Sequence, residues 1–245
     1  MSWSITRQLL IAFGALLIIA LIAVGSFFLF FYTAPTCNDG VQNQNETGVD
    51  CGGICNLLCE QPNINALWSR SVRVVPGVYH AVALIKNPHT AAQGDVSYEV
   101  SLFDDENILI TRRQGSTIIL PGETVPLFEP NIITGERIPT RTFIDLEYNN
   151  FKRFERSISP VRTHSFNLEE TEPRITAEIE NQSTSSVIDV IVTALVFNDE
   201  DVLINASQTR VARIDPRQRH TVTFTWQEPF SEPVARVDII PRVAP

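Results

Sequence analysis

The chain has 245 residues, 44% of them hydrophobic, and a formal net charge of −9. The apolar residues are unevenly spread, and outside one N-terminal block the composition is that of an ordinary soluble protein. This excludes a multi-pass membrane protein and a disordered tail. The acidic balance also argues against nucleic acid as a partner, because an acidic surface repels phosphate.

Residues 9–32 carry no charge. As a helix they span about 36 Å at roughly 1.5 Å per residue, enough to cross a hydrocarbon core of about 30 Å with some tilt. Trp3 and Tyr32 flank the block, as interfacial aromatics do. Arg7 precedes it, and no Lys or Arg follows until Arg70. The positive-inside rule therefore places residues 1–8 in the cytoplasm and everything beyond the span outside. A cleaved signal peptide is the competing reading. Its apolar region is usually about 7–15 residues, and Thr33-Ala34-Pro35 is a poor cleavage site. The sequence thus predicts a single-pass signal-anchor in the cell membrane with an extracytoplasmic body.

Residues 33–63 hold all four cysteines, Cys37, Cys51, Cys55 and Cys59. Outside the membrane, an even and clustered set predicts two disulfides, with three possible connectivities. The segment has few apolar residues and needs crosslinks to hold a shape. Four thiolates could instead bind zinc, but Cys-x3-Cys-x3-Cys is not zinc-ribbon spacing. Asp39, Asn43, Glu46 and Asp50 offer hard oxygen ligands in a glycine-containing loop, a candidate calcium site, although the spacing is not that of an EF-hand. The same residue types are ordinary in turns, so a stapled spacer is the alternative.

Cys37, Asp39, Gly40, Asn43, Glu46, Gly48, Asp50, Cys51, Gly52, Gly53 and Cys55 fit the pattern Cys-x-Asp-Gly-x-x-Asn-x-x-Glu-x-Gly-x-Asp-Cys-Gly-Gly-x-Cys. This stretch resembles a short cysteine motif of exported bacterial surface proteins. The resemblance covers about a tenth of the chain, and it implies a bacterial envelope protein without a defined activity.

From residue 64 onward, short runs of Val, Ile, Thr and Phe are broken by Pro, Gly, Asn and Asp, which is strand character. Val96, Tyr98, Val100 and Leu102 alternate with Ser97, Glu99 and Ser101, as on a strand with one wet face. Val222, Phe224 and Trp226 alternate with threonines in the same way. A shift of 94 residues lays Asn87 on Asn181, Phe103 on Phe197, Asp105 on Asp199 and Leu109 on Leu203. A constant offset over more than twenty residues predicts two copies of one unit. In each, strands 81–86 and 175–180 precede strands 96–103 and 190–197. A polar hairpin loop, 104–107 or 198–201, then leads into return strands 108–113 and 202–208. Units of about 90 residues with six or seven strands predict two tandem immunoglobulin-like β-sandwiches, over 64–159 and 160–245. The predicted fold class is thus an all-β ectodomain after a small disulfide-rich segment and one transmembrane helix.

Val100-Ser101-Leu102-Phe103-Asp104 and Ala194-Leu195-Val196-Phe197-Asn198 are similar to the aromatic-x-Leu-Tyr-Asp strand end of the FxLYD and LEA14-like group. That resemblance implies small immunoglobulin-like sandwiches in an exported, often membrane-anchored setting. It implies no shared catalytic residue.

His80, His89, His164 and His220 form no metal-binding pattern, and no nucleophile elbow, Walker loop or dinucleotide fingerprint occurs. The acidic tetrads suit solvated turns better than paired catalytic carboxylates. Arg112, Arg113 and the Lys152/Arg153/Arg156 cluster suit solvation, with an acidic partner as the sharper reading. Trp68 and Trp226 are candidates for stacking on sugars, although the alternation around Trp226 points it to a core. Sequons stand at Asn45, Asn181 and Asn205. The expected function is a membrane-anchored, non-catalytic binding or assembly module of the envelope with a protein or glycan partner. A carbohydrate-binding adhesin and an envelope enzyme with an unrecognised site are the alternatives. No cofactor is expected beyond the candidate Ca2+.

Overall fold

The structure is a computed structural model describing residues 3–30, 37–43, 45–59, 64–89, 92–154 and 159–244. Contacts divide the chain into two compact units, Met1–Cys55 and Asn56–Pro245.

The first unit begins with helix α1, Trp3–Phe30. Within it, Arg7–Leu29 is long and apolar enough to cross a membrane, and no part of it is buried by protein. Leu9, Ile11, Phe13, Leu17, Ile22 and Phe28 are all exposed, around the whole circumference of the helix. A helix apolar on every side has no polar face to give to water, which is the pattern of a membrane span. The span expected over 9–32 lies in α1 as far as Phe30, and Tyr32 falls outside the described residues.

Among its described residues, the second unit contains twelve strands. They are β1 (Asn65–Val75), β2 (Val78–Lys86), β3 (Ala92–Phe103), β4 (Leu109–Ile119), β5 (Thr124–Ile133) and β6 (Arg141–Arg153), followed by β7 (Val161–Glu169), β8 (Arg174–Asn181), β9 (Val187–Phe197), β10 (Leu203–Ile214), β11 (Arg219–Thr225) and β12 (Arg236–Val243). They form four three-stranded antiparallel sheets with orders β1-β2-β5, β4-β3-β6, β11-β8-β7 and β10-β9-β12. The first two orders become the last two when six is added to each strand number. The strands run longer than the sequence pattern marked, and β4 in particular continues past Arg113 to Ile119.

Each pair of sheets closes on its own core. Ala83, Ile85, Val96, Ile119, Val125 and Phe151 pack between β1-β2-β5 and β4-β3-β6. Ile175, Ile179, Val192, Val196, Val211 and Phe224 pack between the other two sheets. Buried Asn87 and Asn181 stand at matching positions, just after β2 and at the end of β8. Asn181 Nδ2 donates to the carbonyls of Ser185, Ile214 and Asp215, and its Oδ1 accepts from Ser183 N–H. Asn87 Nδ2 donates to Leu120 O, and its Oδ1 accepts from His89 N–H. A buried amide with this many partners ties the end of one sheet to a loop of the other and leaves little polar capacity unmet.

The two sandwiches share a third core. Val72, Val82, Leu195, Phe197, Leu203 and Ala206 bury together, with Trp68, Phe128 and Ile240 against them. Val82 points away from Ala81 and Ala83, and Leu195 and Phe197 point away from Ala194 and Val196, as alternation requires. Sheets β1-β2-β5 and β10-β9-β12 are therefore apolar on both faces, and the unit is a stack of four sheets. The runs Ala81–Ile85 and Ile191–Phe197 are nearly continuous apolar stretches for this reason.

The spacer expected over 33–63 is split between the units. Leu57 bridges Lys152, Leu58 N–H donates to Phe151 O, and Arg153 N–H donates to Asn56 O. Residues 56–58 thus extend the β6 edge, and Leu58 packs on the first core.

Candidate functional site

All four cysteines are disulfide-bonded. Cys37 pairs with Cys55, 18 residues apart. A loop of that size removes about 3 kcal/mol of unfolded-chain entropy. Gly53 lies at φ +55°, and a Cβ there would sit 1.6 Å from Asn45 O, so no other residue fits this turn.

Three of the four candidate calcium ligands, Asp39, Glu46 and Asp50, accept from neighbouring N–H groups, and the fourth, Asn43, donates to Asp39 and Glu46. Asp50 accepts the N–H groups of Asp39 and Gly40, and Asp39 accepts from Val41 N–H and from Asn43 Nδ2. Glu46 is buried; its Oε2 accepts Asn43 N–H, and its Oε1 lies 3.0 Å from the Cys55 sulfur. Among the described residues, the group of three or more His, Cys, Asp or Glu side chains that meets closely enough to share an ion is Cys37, Glu46 and Cys55. That trio includes both sulfurs of a disulfide, which have no thiolate to offer. The arrangement here lets side-chain oxygens satisfy the backbone of a loop too small to bury it.

The acidic tetrads are capped hairpin turns. Asp104 Oδ1 accepts the N–H groups of Glu106 and Ile108, and Asn198 Oδ1 accepts those of Glu200 and Val202. Asn107 and Asp201 close the turns in the left-handed region.

Two concavities flank the seam between sandwiches. One is a cleft of about 530 Å³ lined by Ile118, Leu120, Phe154, Val187, Ile188 and Val243, with Arg242 and Glu123 in its wall. Arg242 Nε pairs with Glu123 Oε1 at 3.0 Å, Nη1 donates to Thr117 Oγ1 at 2.8 Å, and Nη2 donates to Ile118 O. The pair is only 13% and 20% exposed, so it acts as a polar clasp across the seam rather than as a surface ion pair. Ile188 is 64% exposed at the cleft mouth.

A second cleft of about 280 Å³ contains His80, Arg73, Ser207, Trp226 and Glu228. Asn131 N–H donates to His80 Nδ1 at 3.1 Å, and the imidazole lies 4.8 Å from the Phe128 ring. Burial lowers the His80 pKa to about 4, so the ring is neutral at pH 7. Trp226 Nε1–H is buried without an acceptor among the described residues.

Trp68 and Trp226 lie in packed surroundings. Trp68 meets Phe197 edge to face at 6.1 Å, and Trp226 meets Phe230 at 5.2 Å while packing on the second core. The four histidines occupy different parts of the chain, and none joins a metal-ligand group among the described residues. Asn181 is fully buried and Asn205 is 9% exposed, whereas Asn45 is exposed. Arg112 pairs with Glu99, and Arg156 falls outside the described residues. The outer face of β4-β3-β6 is a shallow polar basin of about 470 Å³ with Glu99, Asp145 and Glu147. Sequence reasoning missed the seam, whose signal was the run of apolar residues on β2 and β9. No family model and no curated protein matches the chain.

Proposed function

We propose that the chain is a single-span envelope protein with a cytoplasmic N-terminus and an extracytoplasmic, non-catalytic binding or assembly module akin to FxLYD-type sandwiches. One pairing carries this reading. The exposed apolar helix needs a membrane, and the disulfide-bonded segment after it needs an oxidising compartment. The fused sandwiches supply a stiff platform, and the apolar cleft at their seam supplies a place for a ligand or partner side chain. The glycan-binding alternative gains no matching support, because Trp68 and Trp226 each give a ring face or edge to another aromatic.

Two measurements test the proposal. Protease added outside spheroplasts should digest residues 56–245 and leave a membrane-bound N-terminal fragment. Full protection would overturn the orientation. A photo-crosslinker placed at Ile188 should give discrete adducts on intact cells. Uncrosslinked chain at that position, with adducts elsewhere on the unit, would remove the cleft from the binding surface.

A further inference from the structure

We propose that the cleft lined by His80 and Asn205 is a binding site for a short organic carboxylate.

This cleft of about 280 Å³ lies where β1 and β2 of the first sandwich meet β10 and the loop 226–235 of the second. It shares no lining residue with the apolar cleft beside Arg242. Its fixed polar groups are donors. Asn205 is only 9% exposed, and its Oδ1 accepts Ala206 N–H at 2.9 Å. That bond sets the orientation of the amide and leaves Nδ2 without a partner among the described residues. His80 Nδ1 accepts Asn131 N–H, and the ring is neutral at pH 7. Its proton therefore sits on Nε2, again with no acceptor among the described residues. Trp226 Nε1–H, in the same wall, is a third donor without an acceptor. Three unmet donors around one small cleft call for an acceptor from outside the chain.

Charge narrows the class of acceptor. Arg73 Nη2 pairs with Glu228 Oε2 at 3.0 Å, and both side chains line the cleft. One cation, one anion and a neutral imidazole leave no excess positive charge to hold a phosphate dianion. A carboxylate brings a single charge and two acceptor oxygens in one plane. Arg73 keeps N–H groups beyond the one on Glu228, and a guanidinium fork and a primary amide both suit such oxygens. A hydroxyl-rich ligand would bring further donors to a site short of acceptors. Val74, Ile204 and Pro229 line the same space, so the rest of the ligand is apolar, and the volume keeps it short.

The test is isothermal titration calorimetry on the full chain in detergent micelles, with butyrate, butyramide, inorganic phosphate and acetyl-alanyl-alanine as probes. Butyrate should give a saturable heat, and butyramide and phosphate should bind about tenfold more weakly or not at all. Arg73→Gln should weaken butyrate about tenfold. Glu228→Gln removes the carboxylate that competes for Arg73 and should tighten it. Asn205→Asp keeps the acceptor for Ala206 N–H, replaces the free amide nitrogen by a charged oxygen, and should abolish binding. Arg73 and Glu228 are largely exposed, so their variants test the site even if Asn205→Asp fails to fold. No saturable heat up to about 20 mM butyrate would overturn the proposal. So would butyramide binding as tightly as butyrate, a Glu228→Gln chain that binds more weakly, or a folded Asn205→Asp chain that binds like the parent. Heat from acetyl-alanyl-alanine with none from butyrate would assign the cleft to a peptide C-terminus and overturn the small-molecule reading.

Discussion

Phe197→Ala tests whether the two sandwiches unfold as one body. Phe197 is 3% exposed, and it sits in the seam rather than in either sandwich's own core. Its ring meets the Trp68 edge at 6.1 Å, and the Arg236 guanidinium lies 3.9 Å from its centroid. Truncating a buried Phe costs about 3–5 kcal/mol. The aromatic pair and the cation–π contact each add about 0.5–1 kcal/mol. The seam joins sheets that are not hydrogen-bonded to each other, so it can close partly over the gap. The expected loss is therefore about 3–4 kcal/mol, near the lower end of the range. For a unit of this size that corresponds to a fall in Tm of about 6–15 °C. The assay follows tryptophan fluorescence on heating, with Trp226→Phe isolating Trp68 and Trp68→Phe isolating Trp226 over a constant Trp3 background. In the parent chain both probes should report one midpoint. In Phe197→Ala both midpoints should fall, and the Trp68 midpoint should separate from that of Trp226. A Trp68 midpoint indifferent to Phe197→Ala, a residue of the other sandwich, would refute the coupling.

Other outcomes follow from single side chains. His80 is held neutral by burial, with a pKa of about 4 against an ordinary value of 6.5. Between these two values the unfolded chain binds a proton that the folded chain refuses, so stability is complete above about pH 6.5 and falls as pH drops toward 4. Partial exposure limits the loss to about 1–2 kcal/mol, which urea midpoints at pH 7 and 4.5 should show and His80→Leu should flatten. Asn181→Ala removes the partner of three carbonyls and should cost about 2–3 kcal/mol in the same titration. Gly53→Ala drives a methyl into Asn45 O, and mass spectrometry of the oxidised chain should find free or mispaired cysteines where the parent has none. Arg242→Met breaks the clasp with Glu123, leaves a mostly buried carboxylate, and should cost about 3 kcal/mol by thermal unfolding.

The strands of each sandwich were legible because one-face burial writes itself as alternation. Val96, Tyr98, Val100 and Leu102 declare their face without help from any other part of the chain. The hairpin tetrads were legible for a similar local reason, since an Asp or Asn that caps its own turn needs only the next four residues. The seam was not legible in the same way. Val82 and Leu195 read as ordinary strand residues until alternation is seen to fail around them. Only a second packing face explains that failure, and the identity of the opposing sheet is a long-range fact. The cysteine segment was half legible. Clustering announced disulfides, but the pairing of Cys37 with Cys55 depends on a turn that Gly53 alone permits. The oxygen-rich residues around it were compatible with an ion or with backbone capping, and spacing does not distinguish the two. Asp50 and Asp39 aim at N–H groups, which the sequence does not encode directly.

The four-sheet stack also limits where recognition can occur. Sheets β1-β2-β5 and β10-β9-β12 spend both faces on packing, so neither has a face left for a partner. The two outer sheets each keep one wet face. On β4-β3-β6 that face carries Glu99, Asp145 and Glu147, and on β11-β8-β7 it carries Glu178 and Glu180 with Arg162, Arg174 and Arg219 beside them. Desolvating several charged groups together is costly. Burying either outer face is therefore an unfavourable way to bury more surface. Edges and clefts remain. Pairing along an edge leaves carboxylates in water and satisfies backbone groups that water otherwise must solvate, and a cleft with an apolar wall gains by excluding water. The seam cleft beside Arg242 is a place where this molecule can bind without burying its charged outer faces.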